Sequence, residues 1–558
     1  MRTTAKRSIA HLTEICYRKG IRNVIFSPGS RNAPLVIAFS SHGGFNCQTV
    51  PDERVAAFVA LGQGIATHNP SIICCTSGSA ALNYAPAIVE AYYQSVPMLV
   101  LTADRPSEWI DQGIGQCMRQ ENVYANYIKD SFQWIEEALS EKDLAGNDAM
   151  ASRAIDTTTQ APYGPVHINI PFHEPLYETE EIVDLSLSIP ETLTPTIAKN
   201  GVSPELLSMW ETASKKMILV GLLHPDPQLQ EILMRMSHRK DVILVTETTS
   251  NISDQTIPCI DRALHGIGED AHLYKPDLLI SIGGPLVSKK IKQFLYEHKP
   301  TNHWYINEGN LQDTYRANPI HIQKAPAEVL EFLTDKESNS DDSFFELWEQ
   351  LYLGTYDKHK IYLANCEYSD LLVFGTIIKH IPDNCNLHLA NSTPIRYAQL
   401  FEQSRTVNHF SNRGVSGIDG STSTAIGFAQ CNNKLSVLIT GDMSFFYDSN
   451  AFWIKQLPNN LRIILINNGG GGIFRYIPGP DTTSELESVF ESHHELTAEH
   501  MSSMYKLPYR NSNTIENISD NLEWLLVYQL ECSILEVFTP RLKNSVVLRE
   551  YFKKMYLK

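Results

Sequence analysis

The 558-residue sequence contains no long hydrophobic run, because none of its apolar stretches approaches the roughly 20 residues that a membrane-spanning helix needs. We therefore expect no integral membrane segment. A secretory signal is not expected either, since the basic first residues lead into an amphipathic helical pattern over residues 8–15 instead of an unbroken apolar segment.

The sequence also lacks cysteine pairs in the Cys-x-x-Cys spacing of metal sites. Its ten cysteines are scattered, and the adjacent Cys74 and Cys75 lie in an apolar strand pattern, where we expect buried thiols. Cysteine usage of this kind is typical of a reducing compartment and predicts a cytoplasmic protein.

An excess of basic residues is missing as well. The chain has 46 Lys and Arg against 63 Asp and Glu, which gives a formal net charge of −17. A general nucleic-acid surface needs a basic footprint, so we expect no nucleic-acid partner. Against this acidic background, a local cluster of arginines is more noticeable.

Helices alternate with short apolar strands along the whole sequence. The chain is too long for one hydrophobic core, and 43% of its residues are hydrophobic. The pattern predicts an α/β fold of three successive doubly wound parallel-sheet domains over residues 1–180, 200–335 and 344–558. Polar linkers over residues 178–196 and 335–342 separate them.

Hard oxygen ligands follow two neighbouring strand patterns in the last domain. The motifs are Gly441-Asp442-Met443-Ser444, after the run 435–440, and Asn467-Asn468-Gly469-Gly470, after the run 461–466. Either motif alone is most often an ordinary turn. Because parallel strands end at one sheet edge, the pair predicts a divalent cation held by the Asp442 carboxylate, the Asn468 amide oxygen and the Gly470 carbonyl. The arrangement resembles the diphosphate-and-magnesium motif of thiamine-diphosphate enzymes.

Glu53 stands at a strand-to-helix junction in the first domain. An acidic residue at such a place can simply complement the helix dipole. It can also drive the aminopyrimidine ring of thiamine diphosphate to its imino form, which requires a carboxyl group whose pKa is raised by an apolar setting. The metal motif downstream favours the second interpretation, so Glu53 is the predicted catalytic residue.

Cationic side chains follow two strand patterns of the same domain. Arg31 ends the loop 27–31 ahead of a helix, where backbone N–H groups and a guanidinium suit an anion. Arg105 follows the run 99–101 and is expected at the same rim. Each signal is weak alone, because a single arginine at such a place is usually a solvated salt-bridge partner.

Five motifs together identify a family. They are Ser27-Pro28-Gly29-Ser30-Arg31, Asp52-Glu53-Arg54, Thr102-Ala103-Asp104-Arg105-Pro106, the segment 411–420 and Asn467-Asn468-Gly469-Gly470. In order, and along nearly the whole chain, they resemble the 2-succinyl-5-enolpyruvyl-6-hydroxy-3-cyclohexene-1-carboxylate (SEPHCHC) synthases, the thiamine-diphosphate enzymes of menaquinone biosynthesis. The first and fourth motifs are highly specific, whereas the metal motif is shared by all thiamine-diphosphate enzymes.

The resemblance implies a reaction and its cofactors. Family members are transferases that decarboxylate 2-oxoglutarate and add the succinyl-semialdehyde carbanion to isochorismate, using thiamine diphosphate with Mg²⁺ or Mn²⁺. Glu53 would then activate the cofactor, Ile418 would support its bent shape and Ser392 would lie near it. The remaining cofactor-binding residues of the metal motif would be Gly441, Met443 and Ser444. The family places each active site between two chains, which implies a homodimer or a larger homo-oligomer.

The resemblance also implies a set of substrate-binding residues. Both substrates carry carboxylates, so a cleft with several fixed cations makes physical sense. The matching residues are Ser30, Arg31, Arg105, Gln116, Lys289, Lys290, Arg396, Arg413 and Phe474. Lys290 stands where some family members have an arginine. The lysine ammonium group is a point charge, whereas an arginine guanidinium can bind a carboxylate with two parallel hydrogen bonds. For Arg475 we expect a solvent-facing side chain, with a further substrate cation as the alternative.

Two other functions stay open at this point. The chain could be another thiamine-diphosphate 2-oxo-acid decarboxylase or carboligase, although a pyruvate enzyme has little use for four converging arginines. It could instead be a non-catalytic nucleotide-binding or scaffold protein, against which Glu53 and the complete metal motif argue. The central domain has no complete Gly-x-Gly-x-x-Gly motif, so we expect it to be structural, with Lys289 and Lys290 as its contribution to the active site.

Overall fold

The computed structural model describes residues 2–181, 187, 202–252, 256–336, 342–404 and 406–557. The two predicted linkers lie mostly outside the described residues. Three parallel sheets and one short antiparallel pair contain the strands of the described part of the chain. These sheets, flanked by helices, confirm the predicted α/β class.

The first sheet has six parallel strands and lies within the first predicted domain. The strands of this region are β1 (Arg2–Thr4), β2 (Asn23–Phe26), β3 (Asn46–Thr49), β4 (Ser71–Cys75), β5 (Met98–Asp104), β6 (Ser131–Gln133), β7 (Pro165–Pro171) and β8 (Thr179–Glu181). Its helices are α1 (Arg7–Arg18), α2 (Ala33–His42), α3 (Glu53–Thr67), α4 (Ser79–Asn83), α5 (Ala85–Gln94) and α6 (Glu141–Thr159). The sheet order is β3-β2-β4-β5-β7-β6, and β1 pairs with β8. Strands β4, β5 and β7 are buried along their whole length, as parallel strands covered on both faces should be.

The central sheet has five parallel strands in the order β10-β9-β11-β12-β13. The strands are β9 (Lys216–Val220), β10 (Val242–Thr246), β11 (Leu278–Ile282), β12 (Asn302–Asn307) and β13 (Ile320–Gln323). The helices of this region are α7 (Pro204–Thr212), α8 (Pro227–Ser237), α9 (Ile260–Leu264), α10 (Lys289–Glu297) and α11 (Pro326–Thr334). Separate apolar clusters, one around Trp210 and Trp304 and the other around Trp348, draw on alternate residues of the strands, so both faces of the sheet are covered.

The third sheet has six parallel strands in the order β15-β14-β16-β17-β19-β18, which repeats the order of the first sheet. The strands are β14 (Asn386–Leu389), β15 (Asn408–Phe410), β16 (Ser436–Gly441), β17 (Leu461–Asn467), β18 (Tyr509–Ser512) and β19 (Ser533–Phe538). The helices are α12 (Ser343–Ala364), α13 (Asp370–His380), α14 (Thr393–Ala398), α15 (Ser421–Gln430), α16 (Asp442–Tyr447), α17 (Glu499–Tyr505), α18 (Ile515–Glu523) and α19 (Lys543–Met555).

Contacts divide the chain into two compact units. The first unit comprises Met1–Thr196, Gly414–Asn433 and Tyr447–Asn459, and the second comprises the central sheet and the rest of the third region. Helix α15 therefore packs in the first unit, against α3, although it follows strands of the third sheet in sequence. Each of the three parallel sheets falls within one predicted domain, but the two compact units do not coincide with the three predicted domains. The predicted domain boundaries therefore stay predictions.

Two glycines bring α3 and α15 into backbone contact. A Cβ atom added to Gly62 would lie 2.0 Å from the carbonyl oxygen of Thr424, and one added to Gly427 would lie 2.0 Å from that of Val59. Any side chain at either position would overlap the facing backbone. The crossing therefore requires glycine on both helices.

An ion pair with a buried arginine joins the central and third regions of the chain within the second unit. Arg262, on α9, is fully buried and pairs with Glu402, and its guanidinium also donates to the carbonyl oxygen of Leu400 at 3.1 Å. The hydroxyl of Tyr352 donates to Glu402 at 3.0 Å. Within the part of the chain that the structure describes, the hydrogen-bond partners of the Arg262 guanidinium are thus residues that follow the central domain in sequence.

Among the described helices, none is long and apolar enough to cross a bilayer. None of the ten cysteines forms a disulfide, and Cys74 and Cys75 are buried in β4, as predicted.

Candidate active site

Asp442 lies at the carboxyl edge of the third sheet, where β16 ends beside β17. Its side chain is oriented by three backbone donors: the N–H of Met443 at 2.7 Å, that of Asn468 at 3.2 Å and that of Gly470 at 2.9 Å. Asp442 is only 3% exposed. The two motifs that the sequence pairs are therefore in direct contact, and the Asp442 carboxylate is held rigidly between them.

Asn468 presents a free oxygen at the same edge. Its Nδ2 donates to the Asp370 carboxylate at 3.2 Å, whereas its buried Oδ1 accepts no hydrogen bond within the described residues. A buried oxygen that accepts no hydrogen bond costs free energy unless a bound ligand or cation interacts with it. A carboxylate, a free amide oxygen and a backbone carbonyl suit a divalent cation, so the residues fit the predicted group.

Sequence reasoning missed Asp370, the first residue of α13. Burial raises its pKa to about 6, and it accepts hydrogen bonds from Thr539 at 2.6 Å and from Asn468. It fixes which end of the Asn468 amide faces the site. Nothing local in the sequence indicates this role, because Asp370 precedes Asn468 by 98 residues.

The glycine run after Asn468 is required by its backbone. Gly469 and Gly470 have φ values of +77° and +146°, and a Cβ atom at Gly470 would lie 2.6 Å from the carbonyl oxygen of Glu491. The same carbonyl accepts the N–H of Gly471 at 2.7 Å. The segment around Glu491 therefore braces this loop.

Arg475 belongs to that brace, which corrects our expectation that its side chain faces solvent. Glu491 is fully buried and pairs with Arg475 at 2.5 Å and with Arg541 at 2.9 Å. The Arg475 side chain is 13% exposed. The charges of Arg475 and Arg541 together neutralise the buried Glu491. Sequence alone could not identify this pairing, because it depends on contacts between separate segments of the chain.

Glu53 begins α3 in the first unit and is half-buried. The side chain of Asp52 caps the helix by accepting the N–H of Val55 at 3.2 Å. Asn83 donates to Oε2 of Glu53 at 3.3 Å. The cap fixes where the helix starts and so fixes the position of Glu53.

Two further predicted residues of the first unit have identifiable partners. Arg31 is 3% exposed, donates to the carbonyl oxygen of Phe172 at 2.9 Å and pairs with Glu174 at 3.2 Å. Arg105 donates to the carbonyl oxygen of Gly115 at 3.2 Å, directly beside the exposed Gln116. The structure thus places Arg105 against the Gln116 loop, whereas the charge of Arg31 is already paired; Ser30 is exposed next to it.

A cavity of about 290 Å³ in the second unit gathers predicted substrate residues from two sheets. Lys289 and Lys290, at the start of α10, face Arg396 of α14 across it. Tyr476 also lines it, with a buried hydroxyl that has no partner in the described residues. Burial raises the pKa of Tyr476, which keeps the phenol neutral. Sequence reasoning missed Tyr476, although it lies two residues beyond Phe474.

Part of the lining of this cavity is apolar. It includes Leu400, Ile477, Pro478, Leu548 and Phe552. The ring of His265, which also lines the cavity, stacks on Phe552 with 4.0 Å between centroids. The lining of the cavity therefore combines cationic and apolar side chains with one carboxylate, that of Asp261.

Arg413 and Ser392 are connected through Asn391. The Arg413 guanidinium donates to Oδ1 of Asn391 at 2.8 Å, and Asn391 donates to the carbonyl oxygen of Asn412 at 2.6 Å. Ser392, the next residue, caps α14 with φ +76°. Burial raises the pKa of Glu247 to about 7, while the N–H groups of Val287 and Ser288, which its carboxyl group accepts, and the charge of Arg413 oppose that shift. Sequence reasoning missed this buried acidic residue.

Two remaining predicted residues lie on loops. Phe474 is half-buried in the turn Gly472–Arg475, 5.8 Å from the ring of Phe490. Ile418 is half-buried in the first unit, ahead of α15. Its loop is held by Glu90, whose carboxylate accepts the N–H groups of Gly414 and Val415 at 2.7 Å each.

Comparisons with known proteins agree with this geometry. Residues 8–123 match the N-terminal TPP-binding domain of thiamine pyrophosphate enzymes, and residues 197–389 match the middle domain of that group. Proteins named 2-succinyl-5-enolpyruvyl-6-hydroxy-3-cyclohexene-1-carboxylate synthase are 42% identical in Flavobacterium johnsoniae and 40% identical in Flavobacterium psychrophilum, each over 98% of both chains. The protein of that name in Porphyromonas gingivalis is 39% identical over 98% of this chain and 97% of its own. The chain therefore belongs to the SEPHCHC synthase family of thiamine-diphosphate enzymes.

Proposed function

We propose that the chain decarboxylates 2-oxoglutarate and adds the resulting succinyl-semialdehyde carbanion to isochorismate, giving SEPHCHC for menaquinone biosynthesis. The observation that carries this proposal is the cavity in which Lys289, Lys290 and Arg396 meet the neutral Tyr476 hydroxyl. In sequence, the turn Gly472–Arg475 separates Tyr476 from the motif Asn467-Asn468-Gly469-Gly470, called the metal loop below. Several cations beside a cofactor site suit substrates with more than one carboxylate. The alternative, a different 2-oxo-acid decarboxylase or carboligase, has less use for them.

The cofactor residues divide between the two units. Asp442, Asn468 and the Gly470 carbonyl would hold Mg²⁺ or Mn²⁺ against the diphosphate, with Gly441, Met443, Ser444, Ser392 and Ile418 around the cofactor. Bound thiamine diphosphate supplies a nucleophilic carbon that ordinary side chains lack. Glu53 would hold a proton against the aminopyrimidine ring, and Asn83 donates a hydrogen bond to its carboxyl group.

The remaining predicted residues bind the substrates. Lys289, Lys290, Arg396 and the Tyr476 hydroxyl take carboxylates on one side, while Arg413 is kept in place by Asn391. The first unit supplies Ser30, Arg31, Arg105 and Gln116, and Phe474 gives an apolar contact. For Arg31 to bind a carboxylate, its exposed partner Glu174 must move away.

We also propose a homo-oligomer, with a dimer as its smallest form, in which Glu53 of one copy works with the metal loop of another. The protein acts in the cytoplasm in this proposal, which its unpaired cysteines support.

The deciding experiment measures carbon dioxide release from 2-oxoglutarate with thiamine diphosphate and Mg²⁺, with and without isochorismate. We expect release in the wild type and a new adduct only when isochorismate is present. Glu53→Gln should lower the rate by about a hundredfold or more, because the general acid–base group is lost.

Glu141→Gln is the matched control, since the Glu141 side chain is 81% exposed on α6 and should leave the rate unchanged. Release from pyruvate but not from 2-oxoglutarate would transfer the assignment to the alternative decarboxylase. Absence of release from every 2-oxo acid tested would contradict the enzyme proposal altogether.

A further inference from the structure

His494 lies beside the metal motif, although the sequence analysis did not single it out. Its Nε2 is 3.5 Å from Oδ2 of Asp442, and its side chain is 13% exposed. The Nε2 atom itself is buried and has no hydrogen-bond partner among the described residues. A buried ring nitrogen without a partner, aimed at a ligand site, indicates a missing acceptor.

The backbone determines which ring nitrogen carries the proton. The N–H of Leu496 donates to Nδ1 of His494 at 3.1 Å, so Nδ1 is an acceptor and the hydrogen of the neutral ring is on Nε2. The orientation of the ring is also fixed. The N–H of His494 donates to the carbonyl oxygen of Gly469 at 3.2 Å, and Phe446 packs edge-to-face with 5.5 Å between centroids.

Asp442 is a poor acceptor for this N–H. The distance of 3.5 Å exceeds that of a good hydrogen bond. Oδ2 of Asp442 already accepts the N–H groups of Asn468 and Gly470. In addition, a cation bound by Asp442 would compete for the same lone pairs. The donor therefore suits another oxygen that arrives with the cation at this edge, and the diphosphate brings such oxygens.

We propose that His494 is a positioning residue that donates its Nε2–H to an oxygen of the cofactor diphosphate. The interaction is a hydrogen bond, and no proton is transferred. This proposal rests on the cofactor class of the proposed function and not on the identity of the substrates. The role of His494 can therefore be disproved while the proposed reaction is correct, and the proposed reaction can be disproved while the role of His494 is correct.

The test is a cofactor titration of the full-length protein, followed by intrinsic fluorescence at constant Mg²⁺. In His494→Phe the aromatic packing is kept but the donor is lost, and the dissociation constant for thiamine diphosphate should rise about tenfold, as for one hydrogen bond to a charged group. His494→Gln retains an N–H at a similar distance from the backbone and should stay within about threefold of the wild type. Inorganic pyrophosphate with Mg²⁺, used as a competitor, should lose affinity in His494→Phe by the same factor as thiamine diphosphate.

The exposed neighbour His493 provides the control, because His493→Gln should bind both ligands as the wild type does. Unfolding temperatures without cofactor should agree among all four proteins. Unchanged affinity in His494→Phe would overturn the proposal. So would an equal loss in His494→Gln, or pyrophosphate binding that does not respond, since each of these assigns His494 to packing instead of phosphate binding.

Discussion

At the scale of single residues, the candidate site depends on which atom of each side chain is left available. Asn468 illustrates this, because the oxygen of its side-chain amide can coordinate a cation, whereas the NH₂ group cannot. Asp370 accepts from the Nδ2 of Asn468 and thereby leaves Oδ1 facing the metal edge. A buried carboxylate thus orients the Asn468 amide, the proposed metal ligand, without being a ligand itself.

Replacing Asp370 by Asn should therefore weaken metal binding. The new amide can donate to Asn468 and favour a flipped side chain that presents an NH₂ group to the cation. We expect the dissociation constant for Mn²⁺ to rise about tenfold to a hundredfold, the usual range for a residue that supports a ligand. Electron paramagnetic resonance of free Mn²⁺, recorded with thiamine diphosphate present, measures this constant directly.

Asp383→Asn serves as the control, since Asp383 is an exposed carboxylate that contacts Ser404 and Thr406 away from the site. If Asp370→Asn binds Mn²⁺ as tightly as Asp383→Asn does, Asp370 does not determine the orientation of Asn468.

The meeting of Asp442 and Asn468 at one sheet edge was predictable from sequence because it follows from strand order alone. Asp442 and Asn468 come directly after two apolar runs, and neighbouring parallel strands end at one edge. Asp370 and Tyr476 were not predictable, since their roles depend on packing between segments distant in sequence. The expectation for Arg475 was wrong for a different reason. A charged residue in a loop pattern gives no information about which buried carboxylate it will pair with in the fold.

At the scale of elements, the crossing of α3 and α15 is the tightest contact in the first unit. Glu53 begins the first of these helices, and the Ile418 loop leads into the second. Because the backbones touch at Gly62 and Gly427, the two helices can approach in only one way. The fold class was predictable, whereas the assignment of α15 to the first unit was not, because no local pattern distinguishes this helix from its neighbours.

Gly62→Ala should destabilise the first unit. The added methyl group would lie 2.0 Å from the Thr424 carbonyl oxygen, and the helices would have to separate. Overpacking of this kind costs about 1–3 kcal/mol of unfolding free energy, or more where backbone must move. Urea denaturation followed by circular dichroism measures the loss.

Gly115→Ala is the comparison, because a Cβ atom at Gly115 meets nothing within 4 Å. Equal denaturation midpoints for the two variants would mean that the helices separate at no cost.

At the scale of the whole molecule, the first and third sheets share one strand order. Glu53 follows a strand of the first, and the metal loop follows strands of the third. This distribution supports the proposal that a complete site uses both sheets, and the family resemblance implies that they come from two copies of the chain. It also makes the proposal testable by mixing two defective proteins.

A mixture of Glu53→Gln and Asp442→Asn chains should recover activity that neither has alone. In a mixed dimer one site carries both changes and the other carries neither. Random exchange should therefore restore about a quarter of the wild-type rate in a symmetric dimer. The readout is carbon dioxide release from 2-oxoglutarate after the chains have been mixed and allowed to exchange.

Mixing Glu53→Gln with the double variant of both positions should restore nothing, because no intact site can form. If the first mixture also stays inactive while native mass spectrometry detects mixed dimers, each chain builds its own site.

The ion pair of Arg262 and Glu402 has a consequence for how such proteins can be recombined. Arg262 belongs to the central region, yet its partners, Leu400 and Glu402, come after it. A chimaera that kept the buried Arg262 but lacked an acidic residue at position 402 would bury an unpaired charge, which costs about 3–5 kcal/mol. The smallest segment that could be exchanged intact therefore includes both sheets of the second unit, and sequence changes at positions 262 and 402 should be inherited together.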